Sequence, residues 1–122
     1  MILADTSIWI DHLRSQNAEM RKQLDKGNIV VHPFIIGELA LGSLRDRAKT
    51  LAFLDLLPRA RVAQLCEVRQ MIEARSLYSQ GIGLTDAHLI ASIFLNPPTL
   101  LWTKDKRLRS IAEALGIHAN LP

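Results

Sequence analysis

Short apolar runs at residues 2–4, 28–32 and 99–103 alternate along the chain with longer stretches whose apolar residues recur every three or four positions. Runs that short cross a core as buried strands, and the intervening spacing is that of helices. Strand–helix alternation from end to end predicts an α/β fold with a mainly parallel central sheet and right-handed crossovers. Thr6 or Ser7 is expected to cap a first helix carrying Trp9 and Leu13, and a second, over 18–26, is stopped by Gly27. Pro33 opens a third, PFIIGELALG, with Gly42 as its stop. Further helices are read over 46–57, ended by Pro58, and over 66–79, with room for a short strand at 61–63. Thr85 is expected to cap a helix that is apolar nearly all round (Ala87, Leu89, Ile90, Ala91, Ile93, Phe94) and therefore packs centrally. Leu108, Ile111, Ala112 and Leu115 define the last helix, closed by Gly116.

With 122 residues and 48% hydrophobic composition, the chain reads as one domain, residues 1–122, large enough to bury a core without disulfides. The single cysteine, Cys66, forms no internal bridge, and no Cys/His cluster has zinc spacing, so a reducing, cytoplasmic home is expected. The opening MILADTSIWID has no basic n-region and carries Asp5 and Asp11, and so reads as mature sequence. Residues 87–103 lack Asp, Glu, Lys and Arg. They fall short of the ~20 residues that a membrane span needs, and Pro97-Pro98 interrupts them. No membrane association is expected. A net charge of +3 favours a polyanionic partner only weakly.

In open α/β sheets ligands bind beyond the carboxyl ends of the strands. Asp5 leaves the first strand, Asp105 follows the strand TLLWT, and Asp86 begins the buried helix behind its glycine-containing loop. Each alone is explained by helix capping. Glu38 is harder to explain, because it lies inside an otherwise apolar helical segment and glutamate is almost never buried unpaired. The plainer alternatives are a polar stripe facing solvent, or a pair with Arg14 or Arg45. Four carboxylates brought together repel one another unless a cation holds them, and all-oxygen donors favour Mg2+ or Mn2+. Such ions serve phosphoryl chemistry. Setting those four acids aside leaves 15 basic against 8 acidic side chains, a better footing for a nucleic-acid backbone. Ser7 with His88 is a weak nucleophile–base pair, because no G-x-S-x-G elbow is present. His12, His32 and His118 read as structural or surface residues, and Trp9 and Trp102 as core. Gly81 and Gly83 make no phosphate-binding loop.

ILADTSIWID, ELALG, GIGLTDAHLIAS and LLWTKDKRL, in that order over essentially the whole chain, resemble the acidic motifs of the PIN-domain ribonucleases. Within that family they resemble the VapC toxins of type II toxin–antitoxin pairs. The resemblance implies a three-layer α/β/α sandwich and an Mg2+- or Mn2+-dependent endoribonuclease acting on RNA. It places Asp5, Glu38, Asp86 and Asp105 in the metal site, Asp5 and Asp86 as direct ligands and Glu38 and Asp105 acting through water. Thr6, Ser7 and Thr103 match polar positions that orient carboxylates or contact a phosphate. The resemblance also implies a homodimer and a cognate VapB-like antitoxin that blocks the site. Phe34, Ile35, Ile36, Leu51, Phe53 and Leu54 are candidates for the antitoxin or dimer surface, with core membership expected for most of them. A PIN nuclease without an antitoxin, and a non-catalytic RNA- or protein-binding module, remain the alternatives.

Overall fold

The computed structural model describes residues 1–122. In chain order it comprises β1 (Ile2–Ala4), α1 (Thr6–Ser15), α2 (Ala18–Asp25), β2 (Ile29–Val30), α3 (Pro33–Ala40) and α4 (Arg47–Leu56), then α5 (Leu65–Ala74), α6 (Leu84–Leu95), β3 (Leu100–Trp102) and α7 (Lys106–Ala114). The three strands form one parallel sheet in the order β2-β1-β3. Ile2 lies opposite Ile29 and Leu100, and Leu3 opposite Val30 and Leu101.

The chain steps from β1 to one neighbour and then crosses back over β1 to reach β3 on the other side. Right-handed connections in opposite directions lie on opposite faces, which gives the α/β/α sandwich. They also make β1 the point at which the strand order reverses, where a crevice opens beyond the strand ends. Asp5 is the first residue past that end, and its N–H still continues the ladder to the Trp102 carbonyl at 3.0 Å.

Leu3, Ala4, Ile8, Trp9, Leu101 and Trp102 are fully buried at the centre of the core. The central helix is as expected: every residue from Ala87 to Ile93 of α6 is buried. Gly27 and Gly116 follow α2 and α7 with φ of 69° and 71°, the left-handed stops anticipated for them.

Several local expectations shift. The cap of α1 is Asp5 rather than Thr6 or Ser7, because the aspartate carboxylate reaches the Ile8 N–H and frees both hydroxyls. Gly83, not Thr85, is the N-cap of α6, and its N–H is taken by the Asp86 carboxylate. The strand allowed at 61–63 is absent. The edge of the sheet is extended instead by a single bridge from Val31 to Arg59, while the Arg61 carbonyl accepts from the Ser92 hydroxyl of α6. Helix α5 stops at Ala74 rather than near Ser79. Its apolar stripe ends with Ile72, and Ser76 and Ser79 turn at positive φ. No helix is long and apolar enough to cross a membrane.

Candidate active site

Asp5 sits at the sheet's carboxyl edge, only 5% exposed. Its Oδ1 accepts from Ser7 Oγ at 2.5 Å and from the Ile8 N–H at 3.3 Å, and its Oδ2 accepts from Thr103 Oγ1 at 2.5 Å. Burial pushes its pKa up, and the hydroxyl and backbone donors oppose that rise. Both hydroxyls do second duty, since Ser7 Oγ accepts from the Lys104 N–H and Thr103 Oγ1 from the Asp105 N–H, each at 3.0 Å. Asp105 in turn caps α7 through the Leu108 N–H at 3.0 Å. One network therefore joins the ends of β1 and β3 to the starts of α1 and α7. Ser7, Thr103 and Asp5 act here as a unit that ties the start of α1 to a residue 98 positions after Asp5.

Glu38 reaches the same region from α3, where Thr6 Oγ1 donates to its Oε1 at 2.6 Å. Of the readings open for Glu38, the side chain facing solvent is the one found. Helix α3 buries Ile35 and Leu39 on one side and leaves Glu38 exposed on another. Neither Arg14 nor Arg45 pairs with it, although both line the same groove of about 680 Å3 beside α1 and α3. Asp86, half-buried in the first turn of α6, has its pKa raised by burial first and then by the charges of Asp105, Asp5 and Glu38. The four acids thus share one electrostatic field.

No three Asp, Glu, His or Cys side chains stand close enough together to ligate one ion. The donor set still fits a hard cation that keeps several of its own waters and takes only one or two carboxylates directly, as Mg2+ does.

The serine–histidine pairing is excluded by position. Ser7 bonds Asp5, while His88 is buried edge-on against Phe34, with ring centroids 4.6 Å apart. The remaining histidines are structural as read: His12, His32 and His118 accept through Nδ1 from the N–H of Asn17, Phe34 and Asn120. Trp9 and Trp102 are core. Of the candidate partner surface, Ile35 and Leu54 are core, and Ile36 and Leu51 are partly buried against it. Phe34 and Phe53 are 39% and 44% exposed, joined by Leu41 and Leu56, which the sequence reading passed over. Lys104 was also missed. Its ammonium pairs with Asp11 at 2.9 Å, 93 residues away, a distance no local pattern signals.

Residues 2–114 match the PIN domain family. Ribonuclease VapC32 from Mycobacterium tuberculosis, in strains CDC 1551 / Oshkosh and ATCC 25618 / H37Rv, is 39% identical over 117 residues, which is 96% of this chain and 94% of the relative. With its acids at the topological switch and homology over nearly its full length, the chain belongs to the PIN-domain family and, within it, to the VapC-like ribonucleases.

Proposed function

We propose that the chain is an Mg2+- or Mn2+-dependent endoribonuclease that hydrolyses RNA phosphodiester bonds, and the toxin of a type II pair restrained by a cognate antitoxin. One observation carries the nuclease reading: Asp5, Glu38, Asp86 and Asp105 come from four separate parts of the fold, and the charges of Asp105, Asp5 and Glu38 all help raise the pKa of Asp86. Helix capping accounts for Asp5, Asp86 and Asp105 one at a time, but not for their sharing a field with Glu38, which a bound cation would offset.

Asp5 and Asp86 would hold the ion directly, and Glu38 and Asp105 through its waters. When bound, the ion supplies an activated water and neutralises charge developing on the phosphate. Ser7 and Thr103 fix the Asp5 carboxylate so that it does not rotate away as the substrate arrives. Thr6 holds Glu38 by one hydrogen bond, leaving its second oxygen to accept from a water. The partner reading is supported by the exposed apolar side chains of α3 and α4, Phe34, Phe53 and Leu56, which suit burial against an antitoxin or a second copy of the chain. A cytoplasmic site of action follows from an RNA substrate and a lone free thiol.

The test is cleavage of mixed RNA by the purified chain with Mn2+ or Mg2+, with EDTA, and with Asp5→Asn. Metal-dependent cutting lost in that variant is the expected result. No cutting with either ion, and no metal-induced rise in melting temperature, would overturn the reading. An adjoining small gene whose product copurifies with the chain and stops cleavage is the expected result for the antitoxin.

A further inference from the structure

Two residues past Asp105 stands a cation that no ion pair accounts for. Arg107, the second residue of α7, reaches the turn ahead of α6, where its Nη1 lies 3.5 Å from the Gly81 carbonyl oxygen. Gly81 has φ +79°, and a Cβ there would sit 2.8 Å from that nitrogen and 3.0 Å from Arg107 Cδ. A side chain at residue 81 would therefore press on the end of Arg107, which would have to shift aside. Arg107 thereby spans the two elements that carry Asp105 and Asp86.

Neither acid takes it up. The ion pairs of the chain are Arg59–Asp55, Lys104–Asp11 and Arg109–Glu113. The start of a helix is also a poor place for a cation, because the backbone dipole is positive there, and the first turn of α7 contains no acid to offset it. A guanidinium has five N–H donors, and this one engages a single backbone carbonyl. Its fork is otherwise free, at the edge of a site whose own charge repels polyanions.

We propose that Arg107 binds a backbone phosphate of the RNA strand adjacent to the phosphodiester being hydrolysed, with Gly81 as the notch that sets its position. The assignment rests on the nuclease reading above. A planar fork grips two oxygens of one phosphate, and the cation offsets the repulsion that the strand meets from the four acids.

The test uses the full chain carrying Asp5→Asn, to prevent cutting, and a fluorescently labelled single-stranded RNA of mixed sequence. Binding is read by anisotropy in Mg2+ over a range of KCl. Adding Arg107→Ala should weaken binding about five- to tenfold at low salt and reduce the slope of log affinity against log salt by about 0.7. Arg107→Lys should restore the slope but not the full affinity. Gly81→Ala, which displaces the side chain, should reproduce the loss in affinity. The melting temperature of Arg107→Ala should stay within about 2 °C, as for other surface changes.

An unchanged affinity and slope would overturn the assignment, as would a lowered melting temperature with the slope retained, which is the mark of a strut between α7 and the turn. Arg107→Ala that spares RNA binding but abolishes binding of the copurifying antitoxin would overturn it in favour of a protein contact. Cleavage by the unsubstituted chain separates the two failures. Cutting together with an unchanged Arg107→Ala slope leaves the nuclease standing without this contact, whereas neither cutting nor binding removes both.

Discussion

The two halves of the acidic centre are built differently. At the sheet edge, Asp5 is buried and both its oxygens are held, while Asp105 is tied down by its duties as a helix cap. On the helices, Glu38 is exposed with one hydroxyl partner, and Asp86 has only a 3.5 Å contact to the Gly83 N–H. The sheet half is positioned before any ligand arrives, its burial cost offset in part by the Ser7, Ile8 and Thr103 donors. The helix half has oxygens to spare and can adjust. A rigid anchor opposite an adjustable wall suits a site that must accept an ion and a moving strand.

The largest expected effect is on the rigid side. Asp5→Asn should lower RNA cleavage by roughly a hundredfold or more, while the melting temperature moves little, since asparagine can still accept from Ile8 and Ser7. Glu38→Gln should cost about tenfold, measured in the same assay, because only water-mediated contacts are lost. Equal losses in the two variants would erase the contrast between the halves.

Acid should loosen the helix half. His32 is fully buried, caps α3 through Nδ1, and lies 6.4 Å from the His88 ring of α6, so the helices bearing Glu38 and Asp86 meet at a histidine pair. Burial, with a further contribution from His88, lowers the His32 pKa to about 4. Unfolded histidine takes up its proton near pH ~6.5, before the folded form does, so the contribution is complete above that pH and lost as pH falls toward the folded value. About 3 kcal/mol is at stake. Asp5 and Asp86, held above their ordinary values, act in the opposite direction as they protonate. The difference between parent and His32→Asn in urea unfolding at pH 7 and pH 4.5 isolates the histidine, and the parent should lose more stability on acidification.

Smaller effects should track burial. Thr103→Val removes a buried hydroxyl that serves both Asp5 and the Asp105 N–H, at a cost of about 2 kcal/mol in chemical unfolding. Thr6→Val removes an exposed bond to Glu38 and should cost about 0.5 kcal/mol, with its effect showing in cleavage rate instead. The reverse order would mean that the sheet half is not the anchor.

Much of this was legible in the sequence, and the limits of legibility are physical. Alternating periodicities gave away the α/β class, and the all-round apolar pattern of Ala87, Leu89, Ile90 and Ile93 marked the central helix, because both signals are local. Acids just past strand ends marked the site because parallel sheets put their ligands there. The same local reasoning misplaced the caps at Thr6 and Thr85, since a hydroxyl and a neighbouring carboxylate compete for the same N–H groups. It also left open whether Glu38 is buried or faces solvent, because an apolar segment says nothing about which side of a short helix will face a neighbour.

The sequence by itself determined the alternation of strands and helices, three acids at or near element ends and a fourth, Glu38, within α3. Only the tertiary structure decided their partners: Thr103 for Asp5 across 98 residues, Thr6 for Glu38 across 32, and Gly81 for Arg107 across 26. These contacts are set by the β2-β1-β3 order, which brings the first and last strands side by side, and no periodicity encodes a neighbour that the chain meets only after folding back on itself.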